Sequence, residues 1–152
     1  MIDVFDARFL PKLKGREGGA AFTNRPADRG GPTKFGITAE TLGKWRRLGR
    51  DATADEVRDF TEAEADRIYR AEYYSKPGFD RVAAISPRVA EEYIDTGVNM
   101  GPERPSRWLQ EALNLENQQG TWWADITEDG DIGPATIRAL QALFQRRGVL
   151  MA

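Results

Sequence analysis

The chain has 152 residues, a formal net charge of −2, 40% hydrophobic and 30% charged residues, which is the composition of an ordinary soluble globular protein with room for one core and too little chain for two ordinary domains. It contains no cysteine and no histidine, so a disulfide framework, thiol chemistry, the usual triad base and the commonest zinc ligand are excluded, and catalysis falls to carboxylates, hydroxyls and backbone groups. No stretch reaches the length of a membrane span, and Met1–Arg8 has neither the basic start nor the apolar run of a signal peptide, so neither membrane insertion nor a leader is expected.

In chain order, residues 3–15 place Val4, Phe5, Phe9 and Leu13 near one helix face, with Pro11 marking a kink or a late start. Gly15 and then Gly18-Gly19 end this helix around Glu17. Residues 20–38 are turn-rich and largely polar and read as an irregular loop or short hairpin. Thr38 or a neighbour opens a helix through Leu42, Trp45 and Leu48, stopped by Gly49. Thr53 with Glu56 and Thr61 with Glu64 have the spacing of capping boxes, and the second begins a helix with Ala65, Ile68, Tyr69 and Tyr73 on one side.

Ser86-Pro87 is a cap followed by proline at the first helical position, ahead of the apolar stripe Val89, Ala90, Tyr93, Ile94 and Val98. A further helix runs through Trp108, Leu109, Ala112 and Leu113, and Pro134 starts a last one through Ile137, Leu140, Leu143 and Phe144, ended by Gly148. The expected class is therefore α+β, mainly α, with one small β element near residues 20–38. No repeat, low-complexity tract or linker stands out.

Charge is unevenly distributed. Residues 1–50 hold eleven Lys and Arg against five Asp and Glu, net +6, while residues 51–152 hold eleven against nineteen, net −8. A basic N-terminal part with Lys12, Lys14, Arg16, Arg25, Arg29 and Lys34 favours a polyanionic partner. Nucleic acid would satisfy that charge, but no nucleic-acid motif accompanies it, and a merely solvated charged face is as good a reading.

Glu17 is the most informative residue: a carboxylate at the end of a helix, ahead of a Gly-rich hairpin with a second carboxylate, Asp28, and a hydroxyl, Thr33. Glycoside hydrolysis needs an acid to protonate the leaving oxygen and a second group to handle water or the developing cation. On local sequence alone, Glu17 reads as a solvent-exposed glutamate at a helix C-terminus, Asp28 as a turn former after Pro26, and Thr33 as a strand residue.

Three motifs change that balance. Glu17-Gly18-Gly19 with Pro26, Asp28, Gly30-Gly31, Thr33 and Gly36-Ile37-Thr38 comes first; Asp95-Thr96-Gly97-Val98-Asn99-Met100-Gly101-Pro102 with Trp108-Leu109-Gln110 follows; Asp129-Gly130-Asp131-Ile132-Gly133-Pro134-Ala135-Thr136 ends the series. In this order they resemble the glycoside hydrolase family 108 muramidases, lysozyme-like enzymes of phage endolysins and related bacterial proteins. The resemblance covers nearly the whole chain.

It implies a lysozyme-like fold, two lobes around a cleft with the hairpin near residues 20–38. One domain would span 1–152, with 100–152 similar to a peptidoglycan-binding segment integrated into it. It implies Glu17 as general acid, its pKa raised by apolar walls such as Phe22 or Phe35, and Asp28 and Thr33 facing it to orient water or stabilise an oxocarbenium-like transition state. The family pattern runs Glu-Gly-Gly-Tyr, where this chain has Ala20-Ala21-Phe22 and a longer approach to Asp28. Phe22 thus stands in for the tyrosine after a two-residue insertion, and the insertion leaves the place of Asp28 open.

Asp95 and Asn99, four apart on one helix face, would line the far side of the cleft, with a buried structural pair as the competing reading. Of the aromatic pair, Tyr73 reads as core and Tyr74 as open for a sugar face, and Phe22 joins Tyr74 as a substrate contact. Asp125, Thr127, Asp129, Gly130 and Asp131 loosely suggest a calcium loop, but its twelfth position is Thr136 where glutamate is required, so no metal or other cofactor is expected and a turn before the last helix reads better. Trp122-Trp123 reads as a core plug ahead of an exposed platform.

The function that follows is cleavage of the β-1,4 bond after N-acetylmuramic acid in bacterial peptidoglycan, by a monomeric endolysin held in the host cytoplasm until a holin-like pore made by another protein releases it. A lytic transglycosylase and a non-catalytic wall-binding or secretion-associated protein are the alternatives.

Overall fold

A computed structural model of the chain describes residues 4–16, 21–24 and 31–148. These fall into two compact units, Met1–Arg70 and Ala71–Ala152.

The first unit begins with a π-helical turn, Phe5–Phe9, that runs into α1, Leu10–Arg16. Pro11 neither delays nor ends the helix. Proline has no N–H for the carbonyl four residues back and its ring crowds that carbonyl. The turn just ahead of it is widened, the Leu10 N–H reaching back five residues to the Phe5 carbonyl. Phe5, Phe9 and Leu13 are buried on the resulting face, with the Phe5 and Phe9 rings edge to face at 6.4 Å.

The hairpin expected in residues 20–38 is present as β1, Thr33–Lys34, and β2, Ile37–Thr38, antiparallel with Thr33 opposite Thr38 and Lys34 opposite Ile37. The two residues between them, Phe35 and Gly36, have φ of 51° and 75°. Two consecutive positive φ values mark the type I′ turn that matches the twist of a two-residue hairpin, and Gly36 adopts it without a Cβ penalty. Thr38 then caps α2, Ala39–Trp45, its Oγ1 accepting from the Thr41 N–H at 3.2 Å.

Helix α2 ends three residues before Leu48, because Arg47 turns into the left-handed region at φ 56°. Helix α3, Ala54–Asp59, carries the full Thr53–Glu56 capping box. Before α4, Glu62–Arg70, only half of the second box forms: Thr61 Oγ1 accepts from the Glu64 N–H. The Glu64 carboxylate instead takes a two-pronged bond from Arg46, at 2.9 and 2.7 Å. A fork of two charge-assisted bonds outcompetes one backbone amide.

The second unit starts with another π-helical turn, Ala71–Ser75, followed by α5, Phe79–Ile85, α6, Pro87–Met100, α7, Glu103–Glu116, and α8, Pro134–Arg147. Ser86 caps α6, with Pro87 at its first position, as expected. Helix α5 packs on α6 and α8, and α7 on α6 and α8, around Phe79, Val82, Ile94, Leu109, Leu113, Ile132 and Leu140. The segment similar to a peptidoglycan-binding element therefore shares a core with α5 and α6. The expected class, mainly α with a small antiparallel element and lysozyme-like, is the one found. Among the described residues no helix is long and apolar enough to cross a membrane.

Candidate active site

Glu17 and Asp28 lie outside the described residues.

Thr33 is the centre of the first-unit hairpin. On one side it faces Thr38; on the other it forms an antiparallel bridge with Thr23, exchanging both backbone bonds at 2.8 Å. Residue 33 is thus held by backbone on both edges, and Phe22 is brought next to it through Thr23. The half-buried Thr33 hydroxyl donates to the Gly31 carbonyl at 3.3 Å, which leaves its oxygen lone pairs for an incoming donor such as a water.

Three anchors hold the hairpin from below. The Tyr69 hydroxyl donates to the Phe35 carbonyl at 2.7 Å, and the Phe35 ring meets Phe60 edge to face at 5.5 Å. Lys34 Nζ donates to the carbonyls of Arg58 and Phe60, placing a cation at the C-terminal end of α3, where the helix dipole favours it. The half-buried Phe22 ring lies under the Arg58 guanidinium, 5.0 Å from its centroid. Phe22 and Phe35 are thus both packed features of the hairpin region.

The remaining expected contacts belong to the second unit. Asn99 is exposed and Asp95 half-buried. Their link is not a buried side-chain pair: the Asn99 amide donates to the Asp95 backbone carbonyl at 2.8 Å, the back-bonding common for Asn within a helix. Tyr74, expected to be open, is 5% exposed, while Tyr73, expected in the core, is half-buried. The π turn advances the side-chain register by one residue, so the inward position falls on Tyr74.

The Asp129–Asp131 segment is the turn expected before α8. What sequence reading missed is the device that builds it. Gln110 and Asn114 of α7 and Asn117, its C-cap, stand at i, i+4 and i+7, along one face of the helix. Gln110, 1% exposed, donates to Asp129 Oδ1 and the Asp131 carbonyl at 2.9 Å and to Thr136 Oγ1 at 3.2 Å, and accepts the Gly130 N–H at 2.8 Å. Asn114 donates to the Ile126 carbonyl and Glu128 and accepts the Ile126 N–H. Asn117 donates to Asp125 and accepts the Gly120 N–H.

These amides replace a strand partner for the loop between α7 and α8, satisfying backbone groups that would otherwise be stranded. The Asp131 N–H, with the Gln110 amide, also holds the Asp129 carboxyl below the usual carboxylate range. Amides at helical spacing were the available signal. Trp122 and Trp123 in this loop are half-buried, 6.1 Å apart, with Arg146 of α8 over Trp122 at 5.4 Å, which joins the loop to α8.

Residues 10–101, more than half of the chain, match the family described as Glycosyl hydrolase 108, and the chain belongs to that family. Residues 104–152 match the family described as Predicted Peptidoglycan domain. The protein is thus a glycoside hydrolase acting on peptidoglycan.

It is similar to the solved structure of Brucella abortus SagA, with 27% identity, a TM-score of 0.65, and coverage of 92% of this chain and 78% of that one. No curated protein matches.

Proposed function

We propose that the protein is an N-acetylmuramidase of the endolysin type, hydrolysing the β-1,4 bond between N-acetylmuramic acid and N-acetylglucosamine, with Glu17 as general acid and Asp28 and Thr33 assisting. The observation that carries this reading is one motif. Glu17-Gly18-Gly19 through Gly36-Ile37-Thr38 lies inside the family match over 10–101, with the peptidoglycan segment following directly. The carboxyl of Glu17 protonates the leaving oxygen. Asp28 and the Thr33 hydroxyl, the latter on a hairpin strand bonded on both edges, orient water or stabilise the oxocarbenium-like transition state. A rigid carrier for Thr33 suits that role, since misplacing a positioning group by a fraction of an ångström is costly. The endolysin role, with release through a holin-like pore, rests on the resemblance alone.

Mass spectrometry of sacculus digests tests the reaction. Reducing N-acetylmuramic ends are expected. A digest with only 1,6-anhydro ends would make the protein a lytic transglycosylase, with the muramic 6-hydroxyl as the attacking group. Sacculi bound but uncut would make it a binding protein.

A further inference from the structure

On helix α7, Trp108 is 45% exposed while its neighbours Leu109 and Gln110 are buried. The helix orientation is fixed by that buried side and by the amide bonds of Gln110, so the exposure of the indole is set by the fold. Beside it lies Met100, 47% exposed, the last residue of α6. The two share a surface concavity of about 360 Å³ with Glu103, Arg104 and Arg107. Arg104, Arg107 and Trp108 stand at i, i+3 and i+4 on α7 and so share one face. Arg107 is paired with Glu103 at 3.2 Å; Arg104 is exposed and makes no ion pair with a described residue.

We propose that this concavity is a subsite for a muramyl-peptide unit of peptidoglycan, with the apolar face of one sugar on the Trp108 indole and a stem-peptide carboxylate on Arg104, supported by Arg107. The inference rests on the reading of the protein as an enzyme of peptidoglycan. Three observations select this occupant. An exposed indole flanked by a thioether is the surface on which a sugar ring packs its C–H face. A guanidinium left unpaired beside it offers a planar fork to a carboxylate, and peptidoglycan carries carboxylates at sugar spacing. The volume is at the small end of the range of about 300–1,000 Å³ for small-ligand sites, which suits one sugar unit.

The test uses the full chain with Glu17→Gln, so that the polymer is not consumed, co-sedimented with purified sacculi free of covalently attached anionic polymers. Trp108→Ala is expected to weaken binding about tenfold, the loss typical of a central aromatic anchor. Arg104→Glu/Arg107→Glu is expected to weaken it by about as much and to reduce its salt dependence, while Arg104→Lys/Arg107→Lys recovers part of the loss because charge returns without the fork. Unchanged far-ultraviolet circular dichroism and melting separate these losses from misfolding.

Variants that bind as tightly as the Glu17→Gln parent overturn the subsite, as does a parent that binds only sacculi carrying anionic polymers. Digestion of the same sacculi by wild type reads the hydrolase assignment separately. Products with undiminished variant binding sink only the subsite; no products with variant-sensitive binding sink only the hydrolase.

Discussion

Thr23 and Thr33 exchange both backbone hydrogen bonds at 2.8 Å, which locks the strand that carries the proposed catalytic hydroxyl to the chain that carries Phe22. Thr33→Val keeps the β-branched shape and the backbone bonds and removes only the hydroxyl. Because the fold does not depend on that hydroxyl's 3.3 Å bond to Gly31, the melting temperature is expected to stay close to wild type. The turnover of sacculi is expected to fall about 100-fold, the lower range for losing a positioned proton-handling group. Turbidity decay of sacculi together with a melt measures both; full activity in Thr33→Val would remove Thr33 from the mechanism.

Gln110 holds three groups of the loop before α8 and the Thr136 hydroxyl in the first turn of α8. Gln110→Leu keeps the bulk and strands the half-buried Gly130 N–H and the Asp131 carbonyl, at a cost of about 1–2 kcal/mol for partly buried polar groups left unpaired. Urea denaturation at neutral pH measures this. A loss below about 0.5 kcal/mol, the level of an ordinary surface change, would show that the amide is not what builds the turn.

Gly43, buried in α2, faces the chain beyond the helix. A Cβ there would lie 2.2 Å from the Arg50 carbonyl oxygen and 3.0 Å from the Ala52 nitrogen. Alanine gains about 1 kcal/mol of helix propensity, but the obstacle is backbone and cannot rotate away. Overpacking of this kind costs about 3 kcal/mol, so Gly43→Ala is expected to destabilise the protein by about 2 kcal/mol net in a thermal or chemical melt. A stabilised variant would show that the 50–52 segment shifts freely.

Fold class was legible where local chemistry decides: caps at Thr38, Thr53 and Ser86, the Gly36 turn, and the apolar faces of the helices. It failed where a distant partner decides. Glu64 left its capping box for Arg46, eighteen residues away, and the 3.6-residue period cannot register the π turns that absorb Pro11 and move Tyr74 inward. The exposure of Trp108 was not legible either, because only the packed fold reveals that the side of α7 carrying Leu109 and Gln110 is the buried one. Of the site, Thr33 is placed as a strand residue in a hairpin, and the amide row of α7 went unread because its partners come from a loop without periodicity.

Acid will act on the Arg50–Glu56 pair. The Arg50 guanidinium, with the Thr53 N–H, holds the Glu56 carboxyl down at about 2 from an ordinary 4.5. A carboxyl depressed on folding contributes stability that is fully present above the ordinary value and is lost as pH falls from about 4.5 through about 2. Glu56→Gln should therefore melt below wild type at neutral pH, with the gap closing across that window. A gap that stays constant from neutral pH to pH 2 would contradict this linkage.

The most direct measurement is the release of reducing muramic ends from purified sacculi by wild type and by Glu17→Gln under identical conditions. Wild type is expected to release them and Glu17→Gln to fall by at least about 1,000-fold, within the range for losing a general acid, while still binding the polymer. A Glu17→Gln protein that cuts sacculi at the wild-type rate would contradict the assignment of Glu17 as the acid.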